Sequence, residues 1–241
     1  MRIRIITAVL LLAGCQQSAH NTALVETRLQ LGLAYLSRGE LGAASRNLQR
    51  ALALAPNDYR TQLAQARFLH QSGNDAQAEQ HYRRALRLAP ENGDVLNNYG
   101  AFLCRLRQYD AAQRYFRLAA RGQEHEVRID SAENAGYCYL SAGQAENATR
   151  ALSEALSADP ARGVQLLAEA ERRFGKGRRD ESRLLLDIYQ HSFPVTAESL
   201  WLEIRFAVQE GRSADIRDYG GQLARNFPLS IQYQQFLANE Y

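Results

Sequence analysis

Three cysteines and five histidines are the residues of this 241-residue chain best suited to metal or redox chemistry. The histidines, His20, His70, His81, His125 and His191, are scattered and share no ligand spacing. A zinc site can be drawn from His70, Cys104 and Cys138, but structural zinc sites announce themselves by closely spaced ligand pairs, and these three are far apart in sequence. No Gly-x-Ser-x-Gly turn and no phosphate-binding glycine loop occurs. The chain therefore offers no catalytic residue, and neither a cofactor nor a metal is expected.

The elements that must position any functional side chain are written in the breakers. All five prolines, Pro56, Pro90, Pro160, Pro194 and Pro228, fall on one ruler with gaps of 34, 70, 34 and 34 residues. Seventeen residues before each stands a glycine: Gly39, Gly73, Gly143, Gly177 and Gly211. The gap of 70 is two repeats plus two inserted residues. Between the breakers, small and large residues recur on one grid, as paired helices require where they cross and interlock. Leu31, Gly32, Tyr35, Ala44, Leu48 and Ala51 in the first unit are echoed by Tyr99, Gly100, Leu103, Ala112, Phe116 and Ala119 in the third. The sixth unit departs from the grid by placing Ile204 and Ile216 where small residues belong.

On these residues the chain resembles the tetratricopeptide family from Val25 to about Ser230. The resemblance implies an all-α fold, a right-handed superhelix of six helix-turn-helix repeats with a C-terminal capping helix. The repeats are expected over 25–228 and the cap over 229–241. Asp58, Thr196 and Ser230 follow prolines and can cap the next helix. The third unit has Arg107 in place of the turn glycine and Glu124 in place of the proline, so an irregularity is expected near Arg121 to Asp130. Cys104 and Cys138 both fall in first helices of adjacent repeats, about two positions out of register, on nearly opposite faces of equivalent helices. They can bridge the seam as a disulfide or pack as two small buried hydrophobes.

At the N-terminus, Arg2 and Arg4 precede an apolar run from Ile5 to Leu12, too short for the roughly 20 residues of a membrane-spanning helix. The run ends in Leu12, Ala13, Gly14 and Cys15, which resembles a bacterial lipobox. The resemblance implies a signal peptide over 1–14, diacylglycerol on the Cys15 sulfur, acylation of the new amino group, and a lipidated tether over 15–24. Gln16 follows the cysteine where an aspartate would retain such a lipoprotein at the inner membrane, so the outer membrane, facing the periplasm, is implied.

The whole chain carries 29 basic and 26 acidic residues. Removal of Arg2 and Arg4 with the signal leaves a nearly neutral protein, so no general attraction to nucleic acid is expected. A local basic cluster, Arg172, Arg173, Lys176, Arg178, Arg179 and Arg183, reads either as a solvated helix face or as a site for an acidic partner or lipid head groups.

In tetratricopeptide proteins the first helices line a groove, and the resemblance points to fixed positions in each unit. Leu29, Leu33 and Leu36 form an apolar stripe in the first. Arg60, Arg67 and His70 follow in the second, Asp94, Asn97 and Arg105 in the third, Glu133 and Tyr137 in the fourth, Trp201 and Arg205 in the sixth. The segments Leu96–Cys104, Glu133–Cys138 and Ser199–Arg205 are also similar to the type IV pilus biogenesis and stability lipoproteins, the PilF/PilW pilotins. That resemblance implies a monomeric outer-membrane lipoprotein that binds subunits of the pilus secretin and promotes their localisation and multimerisation. The alternative is a lipoprotein scaffold for other envelope or peptidoglycan machinery.

Overall fold

A computed structural model describes residues 21–239. Thirteen α-helices and no strand occur among them. Helix α1 occupies residues 21–37. It is followed by α2 (Leu41–Leu54), α3 (Tyr59–Gln71), α4 (Asp75–Leu88), α5 (Gly93–Arg105) and α6 (Tyr109–Ala119). Then come α7 (His125–Ser141), α8 (Ala145–Ala158), α9 (Gly163–Gly175), α10 (Arg179–Ser192), α11 (Ala197–Gln209), α12 (Ser213–Asn226) and α13 (Ile231–Leu237). The chain divides into two compact units between Ser131 and Ala132, within α7. No helix among the described residues is long and apolar enough to cross a membrane.

The breakers act as their chemistry requires. Each of the five turn glycines is left-handed, with φ between 69° and 80°. Each proline stands two residues beyond a second helix, where its missing N–H and its ring would otherwise disrupt the next turn. The Asp58 carboxylate accepts from the Arg60 N–H, the Ser230 hydroxyl from the Tyr233 N–H, and Thr196 forms a reciprocal capping box with Ser199.

Arg107 keeps the turn that its side chain disfavours, at φ 61°. An L-residue there costs about 1 kcal/mol. Arg107→Gly is therefore expected to raise stability by up to about 1 kcal/mol. Gly73→Ala should lower it by a similar amount, because a Cβ at Gly73 meets nothing within 4 Å and only the backbone angle is penalised. Urea unfolding of the two variants checks both signs.

The insertion shifts the helix ends on both sides of it: α6 stops at 11 residues, where α2, α4, α8, α10 and α12 have 14 each. α7 is 17 residues long, whereas α3, α5, α9 and α11 are 13 each, and the extra length lies at its N-terminal end.

Within the first unit, α3 pairs with α4 and α5 with α6. The pairing at α5 depends on glycine: a Cβ at Gly100 would stand 2.8 Å from the Phe116 ring. Tyr82 packs between Tyr99 and Phe102, with ring centroids 5.7 and 4.9 Å away. Val25, Leu29, Leu48, Ala51 and Ala64 form a second cluster joining α1, α2 and α3. Leu31, read from the repeat grid as packing, is instead 41% exposed.

In the second unit, Leu152, Leu166, Leu185, Leu186 and Leu202 are fully buried together. The buried Ser182 hydroxyl donates to the Ala170 carbonyl at 2.7 Å, so it carries no desolvation penalty. Ile204, bulky for its place in the repeat, is also fully buried, in a cluster with Trp201 and Leu223. There the close approach moves to Gly220, where a Cβ would lie 2.1 Å from the Phe236 ring, and α13 packs on that cluster through Tyr233 and Phe236.

Candidate partner-binding cleft

The first helices of the first unit, α1, α3 and α5, line a cleft of about 290 Å³. The 34-residue period puts equivalent positions side by side along it. Glu26, Arg60 and Asp94 occupy one level, Gln30, Ala64 and Asn98 a second. Leu29 and Leu63 form the floor, with Leu33 and Arg67 one turn further along and Tyr59 beside them.

Its charges are arranged unequally. Arg60 donates to Glu26 at 2.9 Å across the α1–α3 seam and to Asp58 at 2.7 Å. The hydrogen bonds from Arg60 hold the Asp58 carboxyl below the usual carboxylate range. Arg60 is thus neutralised in place, whereas Arg67 is exposed and has no ion pair among the described residues. The Asn98 amide donates to the Asp94 backbone carbonyl at 2.8 Å, so the Asp94 carboxylate is not used by that bond. An apolar floor lies between an uncommitted cation and a carboxylate. No serine, cysteine or histidine lines the cleft; its polar groups are those of Glu26, Gln30, Tyr59, Arg60, Arg67, Asp94 and Asn98.

The sequence-derived groove residues divide on this geometry. Leu33 lines the cleft half-buried, and Leu29 lines it as floor at 5% exposure. Leu36 is core at 3% exposure, and so is not part of an open stripe; its backbone carbonyl accepts from Gln71 on α3. Asn97 is 6% exposed, and its neighbour Asn98 takes the cleft position, a shift of one residue or about 100° around the helix. Arg105 lies exposed at the end of α5, outside the cleft lining. Arg60, Arg67 and Asp94 line the cleft as expected, whereas Glu26, Gln30, Tyr59, Leu63, Ala64 and Asn98 were missed, although the 34-residue spacing of Gln30, Ala64 and Asn98 was available as a signal.

Three tetratricopeptide-repeat models match the chain, over residues 29–93, 81–114 and 129–162. The type IV pilus assembly protein PilF of Pseudomonas aeruginosa is 30% identical over 213 residues, which is 88% of this chain and 84% of PilF. The chain belongs to the PilF/PilW family. The solved structure of Pseudomonas aeruginosa PilF superposes with a TM-score of 0.61 at 28% identity, covering 91% of this chain and 99% of that one. The crystal structure of PilW, described as a widely conserved type IV pilus biogenesis factor, gives 0.63 at 25% identity, covering 88% and 98%.

In this PilF/PilW-family chain the groove residues expected in the second unit are committed to internal contacts. Glu133 pairs with Arg162. Burial pushes the Tyr137 hydroxyl up, and the Arg173 guanidinium lies 5.8 Å from the centre of its ring. The Arg205 guanidinium stacks 4.4 Å from the centre of the Phe174 ring, and Trp201 is core at 7% exposure.

The basic cluster is mostly neutralised internally. Glu169 binds Arg172 and Arg173, Glu181 binds Arg173 and Arg178, and Glu203 binds Arg183. Cys104 and Cys138 are both disulfide-bonded and so have no thiolate for zinc. His70 meets Asp75 at 3.0 Å, His81 meets Gln62 at 2.7 Å, and burial lowers the pKa of both rings.

Proposed function

We propose that this protein acts in type IV pilus biogenesis as an outer-membrane lipoprotein. In this reading it holds subunits of the pilus secretin in the cleft of α1, α3 and α5 and promotes their localisation and multimerisation. The observation that carries the reading is the cleft itself: an apolar floor of Leu29, Leu33 and Leu63 lined also by Arg67 and Asp94, in a PilF/PilW-family protein. A segment that offers apolar side chains between a carboxylate and a cation fits it. The lipobox at Cys15 lies outside the described residues and supports the membrane attachment. Anchoring raises the local concentration of the cleft at the membrane, so modest affinity for an exposed segment is enough to direct assembly there.

The test is deletion of the protein from its own bacterium. Loss of heat-resistant secretin multimers, with secretin monomer still made, is expected, together with copurification of secretin on the tagged protein. Unchanged multimers with no copurification would overturn the reading and leave the envelope-scaffold alternative.

A further inference from the structure

The second helices of the first unit carry a charge pattern that packing does not require. α2, α4 and α6 hold seven arginines against three carboxylates, Asp75, Glu79 and Asp110. The corresponding helices of the second unit, α8, α10 and α12, hold five arginines against seven carboxylates. The excess is therefore a property of one unit and not of the fold.

The repeat period orders it. Arg50 and Arg84, Arg83 and Arg117, and Arg87 and Arg121 are each 34 residues apart, and all six are exposed. Equivalent positions on neighbouring repeats lie about 10 Å apart, so the three pairs form a shallow cationic array. Arg83 binds Glu79 at 2.7 Å and Arg84 donates to the Asn57 side chain at 2.7 Å. Arg50, Arg87, Arg117 and Arg121 have no ion pair among the described residues. Attraction to the helix C-terminus accounts for Arg87 and Arg117, which sit in last turns, but not for Arg50, Arg83 or Arg84. The same three helices expose Leu54 (39%), Leu88 (38%) and Leu118 (43%). Arginines interspersed with half-exposed leucines form an interfacial surface, charged for phosphate and apolar for shallow insertion.

We propose that this face docks on anionic phospholipid head groups. The role in orienting the protein rests on the lipoprotein reading above, because the lipidated segment leads directly into α1 of the same unit. Docking through the second helices leaves the cleft, which is lined by first helices, open to a partner. An array of evenly spaced guanidinium groups without a pocket suits a field of mobile phosphates better than one folded partner.

The experiment uses the chain from Gln16 onward, which keeps every described residue and has no acyl anchor, so its outcome is independent of what happens at Cys15. It should sediment with vesicles of three parts phosphatidylcholine to one part phosphatidylglycerol, fail to sediment with pure phosphatidylcholine, and be released at molar salt. Replacing Arg84, Arg87, Arg117 and Arg121 together by glutamine should weaken attachment by up to about a thousandfold, and replacing them by lysine should preserve it. Glutamine at Lys176, Arg179, Arg217 and Arg225 of the second unit should change nothing. Failure to bind the anionic vesicles, equal binding to neutral ones, or equal weakening by the second-unit variant would overturn the proposal. The wild-type comparison of lipids and the lysine variant keep it decidable if the glutamine variant loses its helix content.

Discussion

Cys15→Ser is expected to empty the outer-membrane fraction of this protein while leaving its helix content unchanged. The lipobox-like segment ends at Cys15 and the repeat grid begins at Val25, so the anchor and the fold are expected to be separable. Each buried methylene contributes about 0.8 kcal/mol, so two or three acyl chains make attachment effectively permanent, whereas a bare serine contributes none. Any attachment left through the arginine face would be electrostatic and would wash off at molar salt. Palmitate labelling and salt-washed membrane fractions, in a strain lacking the secretin, provide the measurement. Retention of the serine variant in washed outer membranes would show that Cys15 is not the anchor.

The repeat architecture was legible because its signals are local and backbone-based. A turn that needs φ near 70° selects glycine, and a helix that must stop selects proline, so Gly39 and Pro56 mark structure wherever they recur. Arg107 shows the limit of that logic, since it keeps the same turn at φ 61° against its own preference. The face each groove residue takes was less legible. Asn97 and Asn98 are adjacent, and only the packing of α5 against its neighbours decides that Asn98 reaches the cleft while Asn97 is buried. Leu36 and Trp201 sit at groove positions by count, yet both are large enough to fill a seam and are buried there. The ion pairs of Glu133 with Arg162 and of Arg183 with Glu203 join residues 29 and 20 apart on different helices, which no periodicity of a single helix shows.

The position that best separates binding from folding is Leu33. It is half-buried, lines the cleft, and touches the cluster around Leu29 and Leu48 from its edge. Leu33→Glu is expected to keep the helix content, because a glutamate there can turn its carboxylate towards the cleft mouth and water. With a partner seated, that carboxylate is desolvated against an apolar segment at a cost of about 3 kcal/mol, a loss of more than a hundredfold in affinity. Arg67→Glu, at an exposed side chain outside the core, should weaken the same partner without touching stability, since it replaces an uncommitted cation by a like charge. Leu29→Ala is the contrasting change: at 5% exposure it opens a cavity and should cost 2 to 5 kcal/mol of stability. Circular dichroism, urea unfolding and heat-resistant secretin multimers, measured on all three variants at equal protein level, must therefore part company. Normal multimers in both Leu33→Glu and Arg67→Glu would show that the cleft is not the working surface. Unfolding of Leu33→Glu together with a binding loss in Arg67→Glu would leave the cleft in place and move Leu33 into the core.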